Sequence, residues 1–168
     1  MIRKCMTHDF IIILSIINNA SRRYKDIIPN ECWHEPYMSA ANLQADITDG
    51  VEFFGYEENG TLLGVMGIQY FTNVTLIRHA YVLDIAQGKG IGSKLLQFLL
   101  AKAKNSVLIG TWRDTDWSIR FYKKHGFRVL EKTETALLLR KYWKASETHF
   151  NNSVVLADDK YKSTKEEK

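Results

Sequence analysis

Gln87-Gly88-Lys89-Gly90-Ile91-Gly92 stands between the apolar run Ala80-Tyr81-Val82-Leu83 and an amphipathic run from Gly92 to Lys104. Glycines at 88, 90 and 92 let the backbone turn sharply and come close to a ligand with no Cβ in the way. A helix that starts there aims its unpaired N–H groups and the positive end of its dipole at whatever occupies the turn. The stretch reads as strand, glycine turn and helix, with an anion site that suits a pyrophosphate. Several nucleotide-binding folds use this device, so the flanking sequence has to choose among them.

Upstream, the runs 51–57, 62–71 and 74–83 are rich in aromatic and β-branched residues. Glu58-Asn59-Gly60 and Thr72-Asn73 separate them as hairpin turns, which predicts an antiparallel meander. Downstream, Ile91, Leu95, Leu96, Leu99 and Ala103 mark one face of a helix that Asn105 stops. A strand over 106–111 is then reached by a helical crossover, so it should lie parallel to 74–83 and make the sheet mixed. A further helix is predicted over 116–125, with Gly126 as its left-handed cap and a return to the sheet at 127–131.

Before the meander the pattern predicts a short strand at 2–5 and a helix near 9–24 started by Thr7 or Asp9, with Phe10, Ile13, Leu14, Ile17, Ser21 and Tyr24 on one face. Ile27-Ile28-Pro29-Asn30 breaks it, and a second helical region is predicted over 31–48. Beyond 131 a short helix at 137–143 and a last strand at 153–156 are expected. One domain over 1–157 and a charged, fraying tail over 158–168 complete the reading.

The spacing Gln-x-x-Gly-x-Gly, taken with Trp112-Arg113-Asp114 and with Ile119-Arg120-Phe121-Tyr122-Lys123-Lys124-His125-Gly126-Phe127, resembles the GNAT-type N-acetyltransferase family over roughly residues 2–157. The resemblance implies an α/β fold of α+β mixed-sheet type: a central, mostly antiparallel twisted sheet of about seven strands, flanked by helices and splayed between two parallel strands at a coenzyme site. It implies acetyl-CoA as co-substrate, no metal, and transfer of acetyl to a primary amine of a small molecule or peptide. It places Gly88, Lys89, Gly90, Ile91, Gly92 and Ser93 on the pyrophosphate and Tyr81 and Val82 on the pantetheine arm, with Gln87 a further cofactor-binding residue. Leu83, just before the turn, is placed to offer backbone groups too. Thr115 and Ser118 are further coenzyme contacts, Thr115 standing where the family often has asparagine.

Tyr122 matches the family tyrosine near the thioester sulfur, where a hydroxyl can protonate the departing thiolate. Periodicity alone would make it core packing beside Phe121. The acceptor amine must lose a proton, and His79, whose imidazole titrates near neutrality, shares a side of its strand with Tyr81 by alternation. Glu35 and His34 are rival bases. Trp33, Glu35 and Tyr37 are candidate acceptor-site residues, although helical spacing suits Trp33 and Tyr37 to a core equally well. Glu31, Glu35 and Asp46 could attract a cationic amine.

The 168-residue chain suits one domain that buries about 70% of its unfolded surface. A net charge of +4 accompanies basic residues that are spread out rather than gathered into one tract, apart from Arg22-Arg23 and the lysines of 123–124 and 160–168, which disfavours nucleic acid. The apolar run 10–17 falls far short of the ~20 residues a membrane span needs, and it lacks a small-residue cleavage motif. Cys5 and Cys32 form no metal or redox spacing and fit a reducing cytoplasm. The oligomeric state is left open, a homodimer included. A nicotinamide-dependent dehydrogenase, with Asp114 on the ribose, is the competing enzyme reading. It fails because Ser93 stands where the third glycine or alanine belongs and a meander precedes the motif. A non-catalytic coenzyme A-binding sensor or interaction module is the remaining alternative.

Overall fold

Leu76 and Ile77, Leu108 and Ile109, and Val155 and Leu156 are neighbours in sequence and all are buried, yet each pair serves two opposite faces of one sheet. The computed structural model describes residues 1–163. Its elements are β1 (Ile2–Lys4), α1 (Phe10–Ala20), α2 (Ala40–Thr48), β2 (Glu52–Glu58), β3 (Thr61–Tyr70), β4 (Val74–Val82), α3 (Ile91–Leu100), β5 (Ser106–Trp112), α4 (Asp116–Lys124), β6 (Arg128–Val129), α5 (Lys132–Tyr142), α6 (Glu147–Asn151) and β7 (Ser153–Ala157). The strands form one seven-stranded sheet in the order β1-β2-β3-β4-β5-β7-β6, in which only β4 and β5 run parallel. Leu95, Leu96 and Leu99 of α3 and Tyr122 of α4 cover one face, while α1, α2 and α5 cover the other. The mixed α/β architecture implied by the resemblance is the one found.

β4 is what makes this sheet useful. It pairs with β5 only from Val74↔Ser106 to Ile77↔Ile109. Against β3, Gly67 faces Arg78 and Val65 faces Tyr81, so β4 carries one residue more than its partner between those pairs. His79 absorbs the extra residue with φ +52, a left-handed backbone that side chains other than glycine rarely adopt. This bulge bends β4 away from β5 and leaves the edge of its last residues open.

Several boundaries differ from expectation. Pro36 and the side-chain cap at Ser39, which accepts from Asn42 N–H at 3.1 Å, delay the second helix to Ala40, so Trp33, Glu35 and Tyr37 lie on a loop. α1 gives way to a 3₁₀ turn at Ser21–Tyr24. The expected short helix at 137–143 is the end of the longer α5, and the strand at 127–131 shrinks to β6. Arg128 donates to the carbonyls of Asp158 and Tyr161, at 2.8 Å each, and so holds the first part of the expected fraying tail. The rest of that tail, 164–168, lies outside the described residues. No helix among the described residues is long and apolar enough to cross a membrane.

Asp9 starts α1 but does not cap it with its side chain. Its carboxylate instead takes Arg3 through two nitrogens, at 2.8 and 3.0 Å, and the Met6 N–H at 2.7 Å. The Arg3 bond is the largest reason that its pKa falls to about 2 from 3.8 despite burial. A depressed carboxyl stabilises the fold above its unfolded pKa, and that contribution is lost as pH falls through about 2. Asp9→Asn is therefore expected to cost about 2 kcal/mol at neutral pH and almost nothing in strong acid, as read from urea melts across that range.

Candidate active site

Gly88 and Gly90 adopt φ +76 and +78, and a Cβ built on either would meet nothing within 4 Å, so the turn is an open cradle. Gly90 is the N-cap of α3 and has no side chain to satisfy the helix, whose ladder begins with Lys94 N–H on Gly90 O at 3.0 Å. The first-turn N–H groups of Ile91, Gly92 and Ser93 have no intrahelical acceptor, and these residues line the cleft. The cleft has a volume of about 470 Å³. Tyr81, Val82, Gln87, Gly88 and residues 90–93 form one wall, and Trp117, Ser118, Phe121 and Tyr122 of α4 form the other. Arg23 and Lys124 supply positive charge, and the Arg23 guanidinium lies 4.0 Å over the Trp117 ring, so the turn after α1 touches α4 across the cleft. An anion with a long amide-bearing arm fits these surfaces, since the open edge of β4 begins where the cradle ends.

Two of the expected coenzyme contacts have their polar groups already engaged. Leu83 has committed both backbone groups, its N–H to Leu63 O at 2.9 Å and its carbonyl to Ala86 N–H at 2.8 Å. Thr115 is fully buried and spends its hydroxyl on Trp112 O at 2.8 Å, because a polar group in the core must find a partner. Lys89 is exposed at the tip of the turn, between Gly88 and Gly90 of the cleft lining. Gln87 reaches the cleft, and its amide donates to Val82 O at 3.1 Å. Ser118 bonds Thr111 at 3.0 Å, and Ser93 lies 3.0 Å from His125 Nε2.

Tyr122 is 6% exposed, and its ring packs edge-on against Phe121 and Phe127. Burial drives its pKa well above 10, with no hydrogen bond or neighbouring charge contributing. At neutral pH the phenol therefore keeps its proton at the cleft wall.

Across β4 lies a second cavity of about 390 Å³, which shares Tyr81 with the first. Tyr37, Tyr81, Trp112 and His149 give it aromatic walls, and Asp46, Arg78 and His79 line it too. His79 Nε2 lies 2.8 Å from Asp46 Oδ2, and Arg78 approaches the other carboxylate oxygen at 3.3 Å. Burial lowers the His79 pKa below 6.5, Arg78 adds to the effect, and the bond and charge of Asp46 pull it back only in part. Burial works to raise the Asp46 pKa, yet the bond and charge of His79, followed by the charge and bond of Arg78, outweigh it, and the net shift is downward. Where His79 is neutral, Arg78 is the remaining cation beside the carboxylate. His149, stacked 4.1 Å from Trp112, is pushed down to about 4 by burial. Tyr37 holds Trp112 Nε1–H at 2.9 Å. Trp33 stacks on Tyr37 from behind, and Glu35 is exposed beside Lys25 at 3.7 Å, so neither lines the cavity.

A model of the acetyltransferase (GNAT) family matches residues 15–127, more than half of the chain. The chain belongs to that family. Solved structures agree on the fold of this acetyltransferase. The PaiA N-acetyltransferase of Thermoplasma acidophilum, solved with coenzyme A, is 20% identical over 96% of this chain and 98% of its own, with a TM-score of 0.70. The N-acetylglutamate synthase of Neisseria gonorrhoeae, solved with coenzyme A and N-acetyl-glutamate, reaches 21% and 0.70 over 96% of this chain but only 35% of its own. The ribosomal-protein-alanine N-acetyltransferase of Brucella melitensis is 18% identical over 94% of this chain and 97% of its own, with a TM-score of 0.64. No curated protein matches the sequence.

The acetyltransferase also has cleft residues that its sequence did not single out as site residues. Arg23 read only as part of a basic pair, Trp117 as one residue of a helix, and Tyr24 as a member of the first helix's apolar face. The coupling of Asp46 to His79 joins residues 33 apart in sequence, which no local spacing announces.

Proposed function

We propose that this acyltransferase moves the acetyl group of acetyl-CoA to a primary amine, on a small molecule or peptide, by direct attack through a tetrahedral intermediate. The observation that carries the reading is the open edge of β4, which runs from a glycine cradle past Tyr122 to a second cavity on the other side of the strand. The cradle N–H groups hold the pyrophosphate, and the edge at Val82 pairs with the pantetheine amides. His79 takes the proton that the amine nitrogen sheds as its lone pair closes on the thioester carbon. Tyr122 gives its proton to the sulfur as the C–S bond breaks with the electron pair going to sulfur, and recovers a proton from solvent. Each group is already in the protonation state its role needs at neutral pH. We assign the fold to one domain over 1–157 and the protein to the cytoplasm, a compartment in which Cys5 and Cys32 stay free.

Acetyl-CoA and coenzyme A are expected to raise the melting temperature in a thermal-shift titration, by about 2.7 kcal/mol of stabilisation at a hundredfold excess over Kd, and NADH to leave it unchanged. Stabilisation by NADH alone would return the nicotinamide reading. A panel of amines and peptides scored for coenzyme A release then identifies the acceptor, and stabilisation with no release from any of them would support a sensor.

A further inference from the structure

We propose that Asp46 is a positioning residue for His79, holding the imidazole with its proton on Nε2 so that Nδ1 presents a lone pair to the incoming amine. The inference rests on the acetyl-transfer reading and adds to it a residue that lies outside both sequence motifs.

Three observations meet at this pair. Asp46 has a separate partner on each oxygen, His79 on Oδ2 at 2.8 Å and Arg78 on Oδ1 at 3.3 Å, and Gln69 steadies Arg78 at 3.1 Å. The carboxylate is thereby fixed in rotation as well as in charge. Phe53 stacks on the imidazole at 5.8 Å and 24°, which sets the plane of the ring. The bulge that opens β4 also turns Arg78 and His79, consecutive residues, toward the same aspartate, so the strained φ of +52 at His79 both parts the strands and builds the pair. Backbone strain retained at one residue with two such consequences is characteristic of a working site.

Proton accounting closes on this arrangement. The nitrogen forms its bond to the carbonyl carbon and passes a proton to Nδ1. Ionised Asp46 stabilises the resulting imidazolium without taking the Nε2 proton, and solvent later accepts the proton from Nδ1. The other groups facing His79 do not compete near neutrality. Burial keeps Tyr37 and Tyr81 protonated and His149 neutral, and Arg78 lies 3.3 Å from Asp46. At the cavity mouth stand Glu31, His34 and the Asp49–Lys144 pair, the latter at 2.6 Å.

The test is ¹⁵N imidazole spectroscopy between roughly pH 4 and 9, with His79 assigned by His79→Gln. Wild type should show the neutral Nε2–H tautomer at neutral pH and a midpoint below 6.5. Asp46→Asn removes the support that raises this pKa, so the midpoint and the acid limb of kcat should move together to lower pH. kcat should fall roughly 10- to 100-fold, a part of what a general base supplies, while KM for acetyl-CoA holds; Tm should fall, because the fold depresses the pKa of this carboxyl and loses that contribution with its charge. Asp46→Glu should restore part of the rate. An Nδ1–H tautomer or a charged His79 in wild type at neutral pH overturns the proposal, and so does an Asp46→Asn variant with midpoint and kcat unchanged. The wild-type spectrum decides the matter even if Asp46→Asn does not fold. If no amine ever releases coenzyme A, the transfer reading fails while the tautomer measurement stands apart from it.

Discussion

Tyr122→Phe is expected to lower turnover by about 10² to 10⁴, or roughly 3 to 5 kcal/mol of barrier, while leaving the fold and coenzyme affinity in place. The expectation follows from what the substitution keeps. The ring contacts with Phe121 and Phe127 survive, and no hydrogen bond among the described residues is lost with the hydroxyl. What disappears is a phenol whose proton burial retains far above neutrality, and under the proposed mechanism the departing thiolate must then draw its proton from water. The comparison is made at saturating acetyl-CoA, beside melting curves and calorimetric coenzyme affinities. Near wild-type turnover would leave Tyr122 as a packing residue and thiolate protonation to solvent. A fall in kcat with KM for acetyl-CoA unchanged is the signature of an interaction made only in the transition state.

What the sequence disclosed and what it hid divide along a physical line. The turn at 87–92 was legible because glycine is chemically distinctive and because a period of two gives way to a period of 3.6 on either side of it. Tyr122 was not legible that way, since a buried aromatic at helical spacing is core by default and only the motif around it argued otherwise. His79 and Tyr81 line the same cavity, as alternation suggests, but the strand reaches that geometry through an inserted residue that a period-two pattern cannot register. Thr115 and Leu83 looked available because sequence does not show where hydroxyls and backbone groups are already spent. The loop before Ala40 was misread as helix because Trp33 and Tyr37 lie four residues apart, a spacing that suits one. Proline at 36 and the serine cap at 39 were the better guides.

Gly92→Val is expected to weaken coenzyme binding by roughly 100-fold, the equivalent of one or two hydrogen bonds to a charged phosphate, with little loss of stability. The three glycines of the turn are not equivalent for this purpose. Gly90 has φ +78, so a side chain there strains the backbone by about 1–2 kcal/mol whether or not a ligand is near, and weakened binding by Gly90→Val would confound strain with obstruction. Gly92 sits in the first turn of α3 without a positive φ, and its Cβ position meets Phe121 at 3.5 Å, ordinary van der Waals contact. Alanine there should leave the melting temperature unchanged or raise it, since alanine in a helix is favoured over glycine by up to about 1 kcal/mol. Valine adds two methyl groups at the cleft wall, beside the first-turn N–H groups to which the proposed function assigns the phosphates. Calorimetry on the folded alanine and valine variants separates the cases. Affinity that drops stepwise from glycine to alanine to valine at constant stability locates the pyrophosphate against this turn, and unchanged affinity in Gly92→Val would mean that the phosphates lie elsewhere on the chain.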